Sequence, residues 1–129
     1  DGSVIDTDKS VWFQGRAGWM FATLYNTVER RSEWLEAARS CVEFSRKYCF
    51  GPEGKMYFSV TREGQPLRMR RYVFSESFGA ISYASFAKAT GEAWAEEAAR
   101  AMAPAPSAAP SVPFRLAWRY GVRIFSLIE

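Results

Sequence analysis

Apolar positions fall into helix-period runs over most of the chain. The first runs from about Lys9 to Glu29, where Val11, Trp12, Phe13, Trp19, Met20, Phe21, Leu24, Tyr25 and Val28 cover more than one face. A helix apolar nearly all round is expected to be buried between neighbours. Gly15, Ala17, Gly18 and Ala22 supply small residues where another element can approach closely. Asp8 and Ser10 are candidate caps. The second run has Ser32 as a candidate N-cap and Glu33 and Glu36 in its first turn, and it reaches about Tyr48. Trp34, Leu35, Ala38, Cys41, Val42, Ser45, Tyr48 and Cys49 form its stripe. Glu36, Arg39, Glu43, Arg46 and Lys47 lie mostly opposite, as in an amphipathic outer helix.

Gly51-Pro52-Glu53-Gly54 then has the chemistry of a turn. Lys55 to Thr61 carries aromatic and β-branched residues, Arg62-Glu63-Gly64-Gln65-Pro66 is a second turn, and Leu67 to Val73 can return as a partner strand. The expectation is one short, irregular hairpin between helices. A third helix is expected from Ser75 or Glu76 to Thr90, with Gly91 as its stop and Phe78, Ile81, Ser82, Ser85, Phe86 and Ala89 as its buried face. A fourth is expected from Glu92 to about Ala103, with Trp94, Ala98, Ala101 and Met102 on one side; Pro104 ends it.

The pattern breaks there. Residues 104–113 contain four prolines and read as an extended linker. Residues 114–129 are apolar with Arg115, Arg119 and Arg123, can form a short helix at most, and look unlike the chain before them. Three segments result: 1–103, 104–113 and 114–129. The first orders as helix–helix–hairpin–helix–helix, with aromatic inner helices alternating with amphipathic outer ones. Such pairs stack into a solenoid or close into a toroid. A stack generally needs about three or more units, so two pairs read as part of a larger all-α barrel.

Composition narrows the function. The chain has 129 residues, 48% hydrophobic and 16% aromatic, which excludes disorder. Its net charge of +3 is mild and scattered, which argues against a nucleic-acid partner. Cys41 and Cys49, eight residues apart on one helix, would stand roughly 12 Å apart, too far for a disulfide. They read as reduced core thiols of a cytoplasmic protein and offer no metal-ligand spacing. No secretory signal or apolar run of about 20 residues is present, so no membrane span is expected. The chain opens on Asp1 rather than Met, so its true N-terminus is expected to be missing. It contains no histidine, the commonest general base near neutral pH.

The candidate chemistry lies in Trp12-Phe13-Gln14-Gly15-Arg16-Ala17-Gly18-Trp19. Trp12, Arg16 and Trp19 recur at i, i+4 and i+7 on one helical face. Arginine cannot shed its charge, so among indoles it needs a partner. That partner is either a carboxylate of the fold or the oxygens of a ligand. Elsewhere, Glu76 can cap its own helix or pair with an arginine, and Arg68, Arg70 and Arg71 read as a solvated hairpin face.

Val11 to Arg16 followed by Trp19-Met20, then Trp34-Leu35, Tyr57-Phe58-Ser59 and Tyr72-Val73-Phe74-Ser75-Glu76-Ser77-Phe78, resemble the N-acylglucosamine 2-epimerase family of sugar epimerases and isomerases. The resemblance covers about residues 9–103. It implies an (α/α)6 barrel, of which this chain would be the first third or so. It also implies inversion at C2 between N-acetylglucosamine and N-acetylmannosamine: a base removes the C2 proton, an enediolate forms, and the proton returns on the other face. Close variants act on unacylated sugars of the mannose or cellobiose type, or interconvert aldose and ketose. The family's acid and base are histidines later in its sequence, so the resemblance implies a chain with no catalytic residue of its own and no activity alone. It assigns substrate binding to Arg16, to Trp12 one turn before it, and to Tyr72. A guanidinium can hold an oxygen where enediolate charge develops, an indole face suits a sugar's C–H surface, and a phenol can bond a hydroxyl. The expected partner is a small sugar, with a homodimer for the full-length parent. ATP is an effector of some family members, but no phosphate-cradling glycine loop supports a cofactor here. The alternative from another class is a helical-repeat module that binds a peptide in an aromatic groove. Beyond Pro104 the resemblance stops, and the tail is expected to be non-native.

Overall fold

Two inner helices lie side by side, and each carries an outer one. In the computed structural model, which describes residues 2–69 and 73–102, α1 (Val11–Thr27) packs on α2 (Ser32–Tyr48) and on α3 (Val73–Thr90), and α3 packs in turn on α4 (Ala93–Met102). Ala22, Ala38, Val42, Tyr83, Ala84, Phe86, Ala95 and Ala99 form the core they share. A second cluster of Val11, Cys49, Met56 and Val60 lies where the sheet meets the helices.

The helix faces differ from expectation in instructive ways. α3 is buried all round from Gly79 to Phe86, not along one face, because α1, α2 and α4 all pack on it. α1 is apolar on most sides yet not enclosed. It buries Val11, Gly15, Gly18 and Ala22 and leaves Phe13 57% and Met20 45% exposed. In α4 the fully buried positions are Ala95 and Ala99. Trp94, Ala98 and Met102 pack beside them, while Ala101 is exposed.

The sheet corrects the start of α1 and the extent of the hairpin. Lys9 and Ser10 do not begin the helix. They form β1 (Lys9–Ser10), which pairs antiparallel with β2 (Ser59–Val60); β2 pairs with β3 (Pro66–Arg68) through an irregular register. The two strands expected over 55–61 and 67–73 shrink to these short pieces, and Val73 opens α3 rather than ending a strand. Ser10 takes the cap position of α1 without a side-chain capping bond. The Val11 N–H instead donates to the Phe58 carbonyl at 3.0 Å, so the hairpin satisfies a donor that a cap would otherwise serve. Ser32 lies inside α2, and Arg31 holds the cap position with no side-chain bond. Gly91 is the expected stop. It has φ +74°, and its N–H donates to Ala87 O at 2.7 Å. Residues 104–129, Arg70, Arg71 and Tyr72 lie outside the described residues.

A charged clamp joins the two outer helices. From α2, Arg39 pairs with Glu92 at 2.5 Å and with Glu43 at 3.3 Å. Glu92 sits just before α4 and accepts the Trp94 indole N–H at 2.6 Å. The Arg39 guanidinium also lies 5.0 Å from the Phe86 ring centroid, and that of Arg46 lies 4.6 Å from Trp94's. The hydrogen bond from Arg39, followed by the one from Trp94, holds the Glu92 carboxyl below its ordinary value of 4.5. A carboxyl that binds its proton less readily when folded stabilises the fold above that range and loses the contribution as pH falls through the folded value. Glu92→Gln is therefore expected to cost about 1 kcal/mol at pH 7. The gap to the parent should narrow steadily below pH 4.5, as read from urea midpoints across pH.

Candidate functional site

The site begins with a missing side chain. A Cβ on Gly15 would lie 2.8 Å from the Phe78 carbonyl carbon and 2.9 Å from its oxygen, so only glycine lets the α1 backbone come this close to α3. One turn on, a Cβ on Gly18 would overlap the Ser82 hydroxyl and stand 3.2 Å from Cys41 Cβ. This approach sets the Trp12 ring 6.1 Å from that of Phe78, tilted by 42°. Trp12 also meets Phe13 edge-on at 5.7 Å.

The hairpin adds a third wall. The Phe58 carbonyl accepts from Val11, and the Phe58 N–H donates to Arg68 O at 2.9 Å, which fixes this residue beside the first turn of α1. Phe74, in the first turn of α3, precedes Phe78 by four residues and so shares its face. Trp12, Arg16, Phe58, Phe74 and Phe78 together line a concavity of about 390 Å³.

Of the residues singled out from the sequence, Trp12 and Arg16 come together here. Trp19 is half-buried along α1 and does not line the hollow. Neither does Glu76, which is two residues from both Phe74 and Phe78 and hence on another side of α3. Tyr72 lies outside the described residues. Arg16 is exposed and makes no ion pair with any described carboxylate. Phe58, Phe74 and Phe78 were not recognisable as site residues. The Phe74–Phe78 spacing was a signal, but nothing local says that a hairpin phenylalanine joins them.

Chemically the lining is four rings and one guanidinium. It can stack on a C–H surface and donate charge-assisted hydrogen bonds. Among the described residues its lining offers no carboxylate to take a proton, and the chain has no imidazole. The thiols do not supply one either: burial pushes Cys49, which sits just past the end of α2, up to about 11 and also raises Cys41. Among the described residues no cluster of three or more metal-ligating side chains occurs, and no helix is long and apolar enough to cross a membrane.

The chain matches the model of the N-acylglucosamine 2-epimerase (GlcNAc 2-epimerase) family over residues 1–106. It belongs to that family. It is 44% identical over 96 residues to the N-acylglucosamine 2-epimerase of Mus musculus, covering 71% of this chain and 23% of that protein. The Homo sapiens enzyme is 41% identical over 96 residues, with 71% and 22% covered. The cellobiose 2-epimerase of Eubacterium cellulosolvens is 27% identical over 85 residues, with 65% and 21% covered. Among solved structures, a sugar epimerase from a ruminal bacterium superposes with a TM-score of 0.69 at 26% identity, covering 75% of this chain and 25% of that one. A cellobiose 2-epimerase from Bacillus thermoamylovorans gives 0.70 at 22% identity, with 75% and 25% covered, and speaks for the fold alone. These neighbours are (α/α)6 barrels, and the helices described here are the N-terminal part of one. The chain thus spans about a quarter of the length of the epimerases it matches.

Within this epimerase-family wall, Gly15→Ala tests whether the close approach holds the site. Alanine gains about 1 kcal/mol of helix propensity over glycine, but its methyl meets backbone that cannot rotate aside. A net destabilisation of about 1–2 kcal/mol in urea is expected, with a change in tryptophan emission as Trp12 moves from Phe78.

Proposed function

We propose that the concavity is one wall of the sugar site of a 2-epimerase that interconverts N-acetylglucosamine and N-acetylmannosamine. The observation that carries this reading is Arg16, a permanent charge with no described counter-ion, set in a ring-lined hollow. A fixed guanidinium can hold the oxygen on which negative charge grows as the C2 proton leaves, and the electrostatic gain is largest at the enediolate. Trp12, with Phe78 tilted beside it, suits the C–H face of the sugar. Tyr72 follows Trp12 and Arg16 as a third binding residue by its place in the motif.

The acylated sugar is favoured over an unacylated one because N-acylglucosamine 2-epimerases match at 40–44% identity and the cellobiose enzyme at 27%. The chain has no histidine, so in this reading its share is binding, orientation and charge stabilisation. Proton transfer at C2 belongs to residues it does not carry. Reduced thiols at Cys41 and Cys49 favour a cytoplasmic setting.

Titration of the 129-residue chain with N-acetylmannosamine, followed by tryptophan fluorescence, is expected to show saturable binding. Arg16→Gln should weaken it at least about tenfold, since a lost charge-assisted bond is worth about 1.5–3 kcal/mol. Unchanged affinity in that variant removes Arg16 from the site. Deuterium incorporation at C2 in D2O is expected to stay at background, and turnover above it would overturn the division of labour.

A further inference from the structure

The four rings of the concavity differ in how much surface they leave open. Trp12 and Phe78 are half-buried and lean on each other, and the half-buried Phe58 is held by its backbone bonds to Val11 and Arg68. Phe74 lines the same hollow but is 60% exposed. It stands in the first turn of α3, four residues before Phe78 and on the same face, so it forms the open rim. Most of its ring is left for a ligand to cover. Besides the Trp12 indole N–H, Arg16 is the one hydrogen-bonding side chain in the lining among the described residues. A sugar hydroxyl pressed on the phenylalanine side would give up water and gain no partner.

An N-acylated sugar carries one group that suits such a surface, the methyl of its acyl substituent. Across a trans amide that methyl stands about 3.8 Å from C2. With Arg16 on the oxygen next to C2, this span carries the methyl off the guanidinium and onto a neighbouring ring. Trp12 is taken by the C–H face of the sugar, which leaves Phe74 as the ring with the most uncovered area. We propose that Phe74 is a specificity-determining residue that receives the acyl methyl of an N-acylated sugar. The proposal rests on the sugar-site reading above and names the side chain that reads the acyl group. Covering one methyl on an apolar ring is worth about fourfold in affinity. Because Phe74 is at the rim, a longer acyl chain finds room there as well.

The test is a fluorescence titration of the 129-residue chain with N-formyl-, N-acetyl- and N-propionylmannosamine, which differ only in the acyl chain. The acetyl sugar is expected to bind about fourfold tighter than the formyl one, and the propionyl sugar at least as tightly as the acetyl. Phe74→Ala should bring the three affinities together near that of the formyl sugar, and Phe74→Leu should keep part of the difference. Phe74 is mostly exposed, so both variants should keep the helical circular dichroism of the parent. Met20→Ala, at an exposed α1 position that does not line the hollow, should leave the series unchanged and serves as the control. Equal affinities for formyl and acetyl sugars, a difference that survives Phe74→Ala, or an equal loss for all three sugars in that variant would each overturn the proposal. So would rejection of the propionyl sugar, which would mean a closed acyl pocket and not an open rim. Any of these results, with sugars still binding, removes this inference and leaves the sugar site standing. Failure of every sugar to bind removes both.

Discussion

The backbone-to-backbone approach of α1 and α3 at Gly15 is the constraint on which the rest depends. It sets how far apart the inner helices run, and therefore where Trp12 and Phe78 meet. One turn further on, Gly18 continues the seam against Ser82 and Cys41. With both inner helices drawn together, α2 and α4 find their places outside them, and small residues such as Ala22, Ala84, Ala95 and Ala99 suffice to fill the core. At the other end of α1, Asn26 donates to the Ser85 carbonyl at 2.9 Å, so the same pair of helices is fastened by a hydrogen bond where the glycines end.

The hollow is therefore a by-product of packing and not a separate construction. Its rings belong to elements held for other reasons: Trp12 by α1, Phe74 and Phe78 by α3, Phe58 by the sheet. Arg16 is the exception, since no described partner explains it. Its charge is left over from the contacts that hold the described helices and sheet together.

Much of this was legible in the sequence, and the misses share a cause. The four helices, the glycine stop at Gly91 and the close-approach role of Gly15 and Gly18 are local or periodic properties, and the structure agrees with them. The family was legible from separated motifs in order. β1 was not, because a two-residue strand has no pattern of its own and exists only through pairing with Ser59 and Val60. The cap of α1 differs in part for the same reason: Ser10, one of the two candidates, takes the cap position, while the acceptor for the Val11 N–H is a carbonyl far along the chain. The enclosure of α3 and the exposure of Phe13 and Met20 depend on how many neighbours each helix has, which hydrophobicity alone does not encode. The aromatic wall combines residues from three elements, so no window of sequence could show it.

The bond from Val11 to the Phe58 carbonyl has a consequence for how the chain acquires its shape. The first turn of α1, which carries Trp12, is completed by a residue made much later in synthesis. The rest of α1 is closed by its own helical hydrogen bonds, whereas its leading turn is anchored only when the hairpin returns to it. Such sequence-distant contacts are the slow part of folding. The aromatic wall around Trp12 is therefore complete only when residues far along the chain, Phe58 before the second strand and Phe74 and Phe78 on α3, have come to meet it.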